Sequence, residues 1–260
     1  MLIYKAWLET RFRFFIGVAM TLGICAFFVV GNPLIVAHWK EDLIYRPELY
    51  NPPWLFTAMD DYPFFIHHFL FQDFLQKVWV LFAILIGFGG ISRETAQGAA
   101  GFTLSLPVSR NRLMIDRTIV GFLEITIIGF LGCLAIPLLS FFIGKSYPLS
   151  QVIIHGLLLV GGGCVFYALS LFLSALIQGE YIPAFAGIGF VSVIYFLMQP
   201  YADGAPEPKF LKFINITKTI SGVSQVDTLN NIPWLGLIFS LLLGIALFWA
   251  SLKIIEKRDY

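Results

Sequence analysis

Six long apolar segments constrain this chain more than any other feature of its sequence. Each has about the length that an α-helix needs to cross the bilayer hydrocarbon, about 30 Å or roughly 20 residues. The predicted spans cover residues 14–30, 74–91, 113–136, 152–177, 182–199 and 234–255. We therefore predict an all-α membrane protein with six transmembrane helices, organised as one domain over residues 1–260.

The composition also indicates that most of the protein surface faces the lipid bilayer and not water. Charged residues make up 13% of the chain, whereas a soluble domain has about 25%. The basic residues are scattered and do not form a basic strip interleaved with aromatic residues, so no nucleic-acid surface is predicted. The three cysteines, Cys25, Cys133 and Cys164, lie in apolar runs without metal-ligand spacing, and we interpret them as small buried residues.

The N-terminal segment has a different character from the spans. Residues 1–13 alternate apolar and charged side chains, which favours an amphipathic helix in the inner membrane interface; the alternative is a frayed basic terminus. The apolar run that follows ends in Gly31-Asn32-Pro33 and not in a small-x-small cleavage site. We therefore expect an anchor that is retained, not a signal peptide.

Arginines are concentrated on one predicted side of the membrane. The side that contains the N-terminus holds Arg11, Arg13, Arg93, Arg110, Arg112, Arg117 and Arg258. The other side holds a single arginine, Arg46, and most of the loop acids. By the positive-inside tendency both termini are predicted to be cytoplasmic. The outer segments 32–73 and 200–233 are predicted to contain packed or interfacial helices, although the sequence does not show what they do.

A polar island, residues 91–117, separates the second and third predicted spans. Ser92 can cap a helix whose first turn carries Glu94, a favourable charge at the positive end of the helix dipole. Gly98 permits the close approach of another backbone. Pro107 disfavours helix at the residue before it and would fix the turn into the third span. The plain alternative is a loop whose arginines only set the topology.

The island also carries the pattern of a known family. Glu94, Gly98 and the run LSLPVSRNRLMIDR resemble the cytoplasmic segment of type-2 ABC exporter permeases, in which an acid, a glycine and a Pro-Val-Ser-Arg exit follow the second span. Leu104-Ser105-Leu106 stands where the family often has two leucines before the proline. The resemblance implies a coupling helix within residues 92–110 that docks a separate ATPase. The residues implied in docking are Arg93, Glu94, Gly98, Pro107, Ser109 and Arg110.

The same resemblance implies the partners and the location. The chain would be the permease subunit of an exporter in a bacterial or archaeal plasma membrane, working as a homodimer or as a heterodimer with a related permease. No GxxxxGK[ST] sequence occurs in the chain, so we expect no P-loop ATPase activity here, and ATP and Mg²⁺ would bind the partner subunit. No cofactor is expected on this chain. Neither the cargo nor the direction of transport follows from the residues.

Glu124 is the acidic residue that stands out within the predicted spans. A carboxylate at membrane depth costs about 2.5–3.5 kcal/mol on insertion scales, so it should face a cavity or another helix. One interpretation is a residue that lines the pathway or couples it to the island. The other is a carboxyl group near the inner interface that is bonded to a neighbouring helix. The sequence supplies no partner that would decide between them.

Other site types and functions have weaker support. His67-His68 and His155 are interpreted as interfacial histidines, because adjacent helical side chains diverge by about 100° and rarely bind one metal ion. Glycines 161–163, 187 and 189 favour close helix packing over local flexibility. The alternative functions are a secondary carrier or a non-transporting regulatory or assembly subunit that uses an ATPase partner. A membrane enzyme lacks the paired catalytic groups that it would need.

Overall fold

The structure, a computed structural model, describes residues 2–45, 53–88, 109–177, 179, 181–202, 208, 215–222 and 232–257. Within these residues all regular structure is helical. The helices are α1 (Leu2–Tyr45), α2 (Pro53–Asp60), α3 (Tyr62–Gly87), α4 (Arg110–Phe142), α5 (Leu149–Leu176), α6 (Ile182–Ala202), α7 (Ile216–Ser221) and α8 (Trp234–Lys257). The predicted all-α membrane fold is therefore confirmed at this coarser level.

Within the described ranges, five helices are long and apolar enough to cross a membrane: α1, α3, α4, α5 and α8. The helix α6 is also apolar, but its described apolar part, Ile182–Met198, is shorter than these five. A count of six spans therefore stays a prediction. Helices α5, α6 and α8 begin and end within a few residues of the predicted spans 152–177, 182–199 and 234–255. The other two boundaries are corrected: α4 continues to Phe142, and α3 begins at Tyr62, well before the predicted span 74–91.

The first helix corrects two predicted boundaries. A single helix, Leu2–Tyr45, replaces the separate interfacial helix and the span that was expected to end at Val30. Its 44 residues correspond to about 66 Å, roughly twice the bilayer core. Pro33 lies inside this helix. Asn32 does not stop the helix, because its side chain is used in a tertiary contact with Lys145, whose Nζ donates to Asn32 Oδ1 at 2.6 Å.

The outer segment 32–73 is helical at its described residues except Asp61, whose backbone is extended, and it contains the packed helices that were predicted. It contains the end of α1, the helix α2 and the start of α3, which includes a π-helical stretch at Ile66–Leu75. Aromatic rings pack these pieces together: the Trp39 ring centroid lies 5.9 Å from that of Phe65 and 5.0 Å from that of Phe69. The aromatic density of the sequence thus reflects a packed cap around the end of α1.

Contacts at the two ends of the bundle give the direction of each helix. Glu9 pairs with Arg117 at one end, and Asn32 contacts Lys145 at the other, so α1 and α4 run parallel. Arg13 contacts Phe88, whereas Trp39 contacts Phe65, so α3 runs antiparallel to α1. We call the end with Glu9 and Arg13 the N-terminal end. Because Phe88 and Ser109 both belong to it, residues 89–108 connect two points at this end.

Helix α5 is the most buried of the long helices and contacts α3, α4, α6, α7 and α8. Its glycines allow large side chains to approach closely. Trp79 of α3 is fully buried, and its Nε1 donates to Ile125 O at 2.8 Å. The same ring packs against Gly163, where an added Cβ would overlap it. Close packing, the interpretation favoured from the sequence, is confirmed at Gly163, while Gly189 faces open space.

This difference between two glycines gives a direct test. Replacing Gly163 by alanine should force the Trp79 ring out of its position and destabilise the bundle by about 1–3 kcal/mol. The change would be measured as a loss of thermal stability of the purified protein in detergent. Gly189→Ala is the matched control: its new Cβ meets nothing within 4 Å, and alanine has the better helix propensity by about 1 kcal/mol. Equal effects at both positions would contradict the packing role of Gly163.

Candidate functional site

The structure describes only the end of the predicted docking segment. Four of the predicted site residues lie outside the described residues: Arg93, Glu94, Gly98 and Pro107. Ser109 precedes the first turn of α4, and its Oγ accepts a hydrogen bond from the backbone N–H of Arg112 at 3.4 Å. Arg110 is the first residue of that helix. Ser109 therefore acts as a helix cap, which fixes where α4 begins within the polar island.

Arg13 binds the end of α3, from which the chain continues into the polar island. Its Nη1 donates to the carbonyl oxygens of Leu85 at 2.6 Å and Phe88 at 2.5 Å. The guanidinium also lies over the Phe88 ring, 5.1 Å from the centroid. The last carbonyls of a helix lack intrahelical partners and carry the negative end of its dipole, so an arginine there is favourable. A residue of α1 thus fixes the end of α3.

A second contact from α1 holds the start of α4. Glu9 and Arg117 form an ion pair in which Arg117 Nη2 donates to Glu9 Oε2. The side chains are 32% and 17% exposed, respectively, so the pair is less screened than a fully exposed one. Since Arg117 lies two turns from Ser109, this pair ties α1 to the helix that leaves the island.

Glu124 lies deeper along the same face of α4. It is 2% exposed, and its Oε1 accepts a hydrogen bond from the Thr10 hydroxyl at 2.5 Å. Its other oxygen, Oε2, has no hydrogen-bond partner within the part of the chain that the structure describes. The Arg13 guanidinium interacts electrostatically with the carboxyl group. Glu124 is therefore bonded to a neighbouring helix, and its role in the pathway or in coupling stays a prediction.

Together these contacts form one unit, which we call the N-terminal brace: Glu9, Thr10 and Arg13 of α1. The brace contacts the end of α3 and two turns of α4. Sequence analysis assigned Arg13 and Arg117 only to membrane topology and did not single out Thr10. The sequence signal that could have predicted the brace is the spacing of Glu9 and Arg13 by four residues, which places them on one helix face. Their partners lie more than 70 residues away in the chain.

The interfacial position predicted for the histidines fits only His68, because His67 and His155 are buried inside the bundle. His67 Nε2 lies 3.1 Å from the carbonyl oxygen of Ser221, and its ring centroid lies 5.6 Å from that of His155. His68 instead stacks on Phe64 at the aromatic cap. Among the described residues, no group of three or more metal-ligating side chains comes together. The two adjacent histidines therefore point to different surroundings, as their helical spacing requires.

A comparison with protein-family models decides which family the chain represents. The model described as ABC-2 family transporter protein matches residues 21–252. The chain belongs to the ABC-2 transporter family. A comparison with curated proteins found no match. As an ABC-2 family membrane protein, the chain is a permease subunit of an ABC transporter, and such subunits lack ATPase motifs and work with an ABC ATPase subunit. The brace residues precede the matched region.

The brace of this ABC-2 family permease can be tested with a double-mutant cycle. Glu9→Gln and Arg117→Gln should each destabilise the protein, and the double variant should lose less than the sum. A coupling energy of about 1 kcal/mol is expected, because the pair is partly buried. The measurement is the free energy of unfolding in mixed micelles as sodium dodecyl sulfate is added.

The control cycle uses Lys253 and Glu256 of α8. Their Nζ–Oε2 distance is 3.2 Å, but both side chains are about half exposed. Exposed pairs of this kind contribute about 0.3–0.5 kcal/mol. A coupling energy for Glu9 and Arg117 no larger than that of the control pair would show that the ion pair does not hold α1 against α4.

Proposed function

We propose that this permease forms, as a dimer, the pathway of an ATP-driven exporter, and that residues 92–110 dock a separate ATPase. The observation that carries the proposal is the position of the two described residues on either side of residues 89–108. Phe88 and Ser109 both lie at the N-terminal end of the bundle, where Arg13 and Arg117 are also found. A partner that binds between Phe88 and Ser109 contacts the end of α3 and the start of α4 at the same time. Membership of the ABC-2 family indicates that this partner is an ABC ATPase.

The coupling follows from how the flanking residues are held. Closure of the ATPase subunits on ATP moves the docked segment, and with it the end of α3 and the start of α4. Arg13 and Arg117 then transmit this movement to α1 through hydrogen bonds and an ion pair. Glu124 adds a third connection through Thr10. Consequently α1, α3 and α4 tilt as one unit, which switches the access of the pathway from one side of the membrane to the other.

In this proposal the N-terminal end faces the cytoplasm of a bacterium or archaeon. Both termini are then cytoplasmic, and the aromatic cap around Trp39 faces outward. Support comes from the arginines, which are more frequent on the side of the N-terminus. The ATP that drives transport is cytoplasmic, which requires the docking segment to be on the same side.

The docking role predicts a stable complex. Purification of the tagged chain from its native membrane in mild detergent should recover an ATPase subunit at about 1:1. Glu94→Ala and Arg110→Ala should each lower the recovered ATPase by about tenfold, which corresponds to about 1.4 kcal/mol of lost binding energy. The ratio would be measured by quantitative mass spectrometry of the eluted complex.

Lys77→Ala provides the matched control for this experiment. Lys77 is paired with Asp73 at 3.2 Å, ten residues before the end of α3, and its loss removes a charge away from the docking segment. ATPase recovery should stay at the wild-type level. Absence of any ATPase from the wild-type preparation, under conditions that keep a known ABC complex intact, would remove the basis for the proposal.

The orientation can be tested with single cysteines. Ser146 is exposed between α4 and α5 at the end opposite the brace, whereas Gln97 lies in the island. In a background with Cys164 replaced by serine, Ser146→Cys should react with a membrane-impermeant maleimide in intact cells. Gln97→Cys should react only after the membrane is permeabilised. The native Cys25 and Cys133 are fully buried and should contribute little labelling. The reverse pattern would place the termini outside.

A further inference from the structure

Polar side chains from three helices and a connection meet at the end of the bundle opposite the brace. Lys145 lies in the short connection between α4 and α5. Its Nζ donates to Asn32 Oδ1 of α1 at 2.6 Å and lies 4.6 Å from the centroid of the Tyr62 ring of α3. The Tyr62 hydroxyl is in turn 2.6 Å from Ser140 Oγ of α4. We call Asn32, Tyr62, Lys145 and the neighbouring Tyr147 the Lys145 cluster.

Two buried donors of this cluster are unused. Asn32 is 1% exposed, and its Nδ2 has no hydrogen-bond partner among the described residues. Tyr147 is 5% exposed, and its hydroxyl likewise has none within the described ranges. Burying a polar group without a partner costs about 1–3 kcal/mol, so each such group requires an explanation. Because Asn32 Oδ1 already accepts from Lys145, the unused atom of this amide is its donor.

The charge of the cluster is positive. Lys40 is the charged neighbour that acts on Lys145, and it repels it. Burial, followed by Lys40, lowers the pKa of the Lys145 ammonium group. Asp60 lies 3.8 Å from Lys40 Nζ and is 82% exposed, so water screens its charge.

Tyr147 keeps its hydroxyl proton and can therefore donate a hydrogen bond. Burial raises the pKa of its phenol, and Cys133 and Tyr62 act in the same direction. The phenol therefore keeps its proton at any physiological pH. Tyr147 lies two residues after Lys145, in the same short connection between α4 and α5. The cluster thus combines an ammonium group, an amide N–H₂ and a phenol O–H.

We propose that the Lys145 cluster binds an oxyanion, the phosphate group of a lipid headgroup or of a phosphate-bearing solute. An ammonium group binds phosphate as a point charge, and a phosphate has enough acceptor oxygens to satisfy the amide and phenol donors as well. An anion also relieves the repulsion between Lys40 and Lys145. A metal cation is excluded because the cluster already carries positive charge. This site does not depend on whether the island docks an ATPase.

The test measures the reactivity of Lys145 in the full-length protein. The chain is purified in a maltoside detergent and treated with a water-soluble N-hydroxysuccinimide ester, and the rate of acylation of each lysine is read by mass spectrometry. Inorganic phosphate is added against chloride at equal ionic strength. In a second arm, the protein is placed in vesicles of phosphatidylglycerol or of the phosphate-free digalactosyl diacylglycerol.

Protection of Lys145 is the expected result. At about ten times its Kd, a bound anion should slow acylation by about tenfold, while Lys77 reacts at an unchanged rate because it is already paired with Asp73. Protection by inorganic phosphate in detergent would assign a soluble phosphate compound. Protection only in phosphatidylglycerol vesicles would assign a lipid headgroup. Unchanged Lys145 reactivity in both arms would overturn the proposal.

Two variants separate binding from a general structural effect. Asn32→Asp places a carboxylate against Lys145, so it should slow acylation without added anion and abolish further protection. Tyr147→Phe keeps the ring but removes one donor, and should weaken protection while leaving the detergent stability close to that of the wild type. Full protection in Asn32→Asp would contradict the site. Lys77→Gln, which removes the same charge elsewhere, should leave protection of Lys145 intact.

Discussion

Polar groups at membrane depth must find partners within the protein, because the hydrocarbon offers no water to satisfy them. In this chain the requirement is met largely by α1. Arg13 donates hydrogen bonds to the last carbonyls of α3, Thr10 donates to the buried Glu124 of α4, and Glu9 pairs with Arg117. Each of these contacts crosses from α1 to a helix that flanks the polar island. The first helix therefore sets the relative positions of the island's two ends.

The length of α1 extends this connection to the other end of the bundle. The helix continues through Pro33 to Tyr45, so the residue that contacts Phe88 and the residue that contacts Lys145 belong to one uninterrupted element. A continuous helix transmits displacement along its axis better than two helices joined by a hinge. In the proposed mechanism a change at the island would reach the Lys145 cluster through α1, and an anion at that cluster would act on the same helix.

The sequence predicts the apolar segments but not always their limits. Hydropathy marks where a helix is in contact with lipid, not where its hydrogen bonds stop, so the continuation of α1 beyond Val30 was missed. Asn32 and Pro33 are typical of a helix end, yet Asn32 is bonded to Lys145 instead of to its own backbone. The π-helical stretch in α3 had no sequence signal, because its register depends on packing around Phe65 and Leu70.

The sequence by itself determined that the protein lies in a membrane, because its charged residues are too few to cover a soluble domain. It also determined the helical class, because its apolar segments have the length of transmembrane helices. Its island motif also indicated the family, since Glu94, Gly98 and the Pro-Val-Ser-Arg exit lie within the short stretch 94–110 and need no folding to be recognised. Only the tertiary structure decided the partners of Glu124 and Arg13. An arginine that sets topology and one that caps a distant helix look identical in sequence. The difference lies in contacts between residues more than 70 positions apart, which only packing brings together.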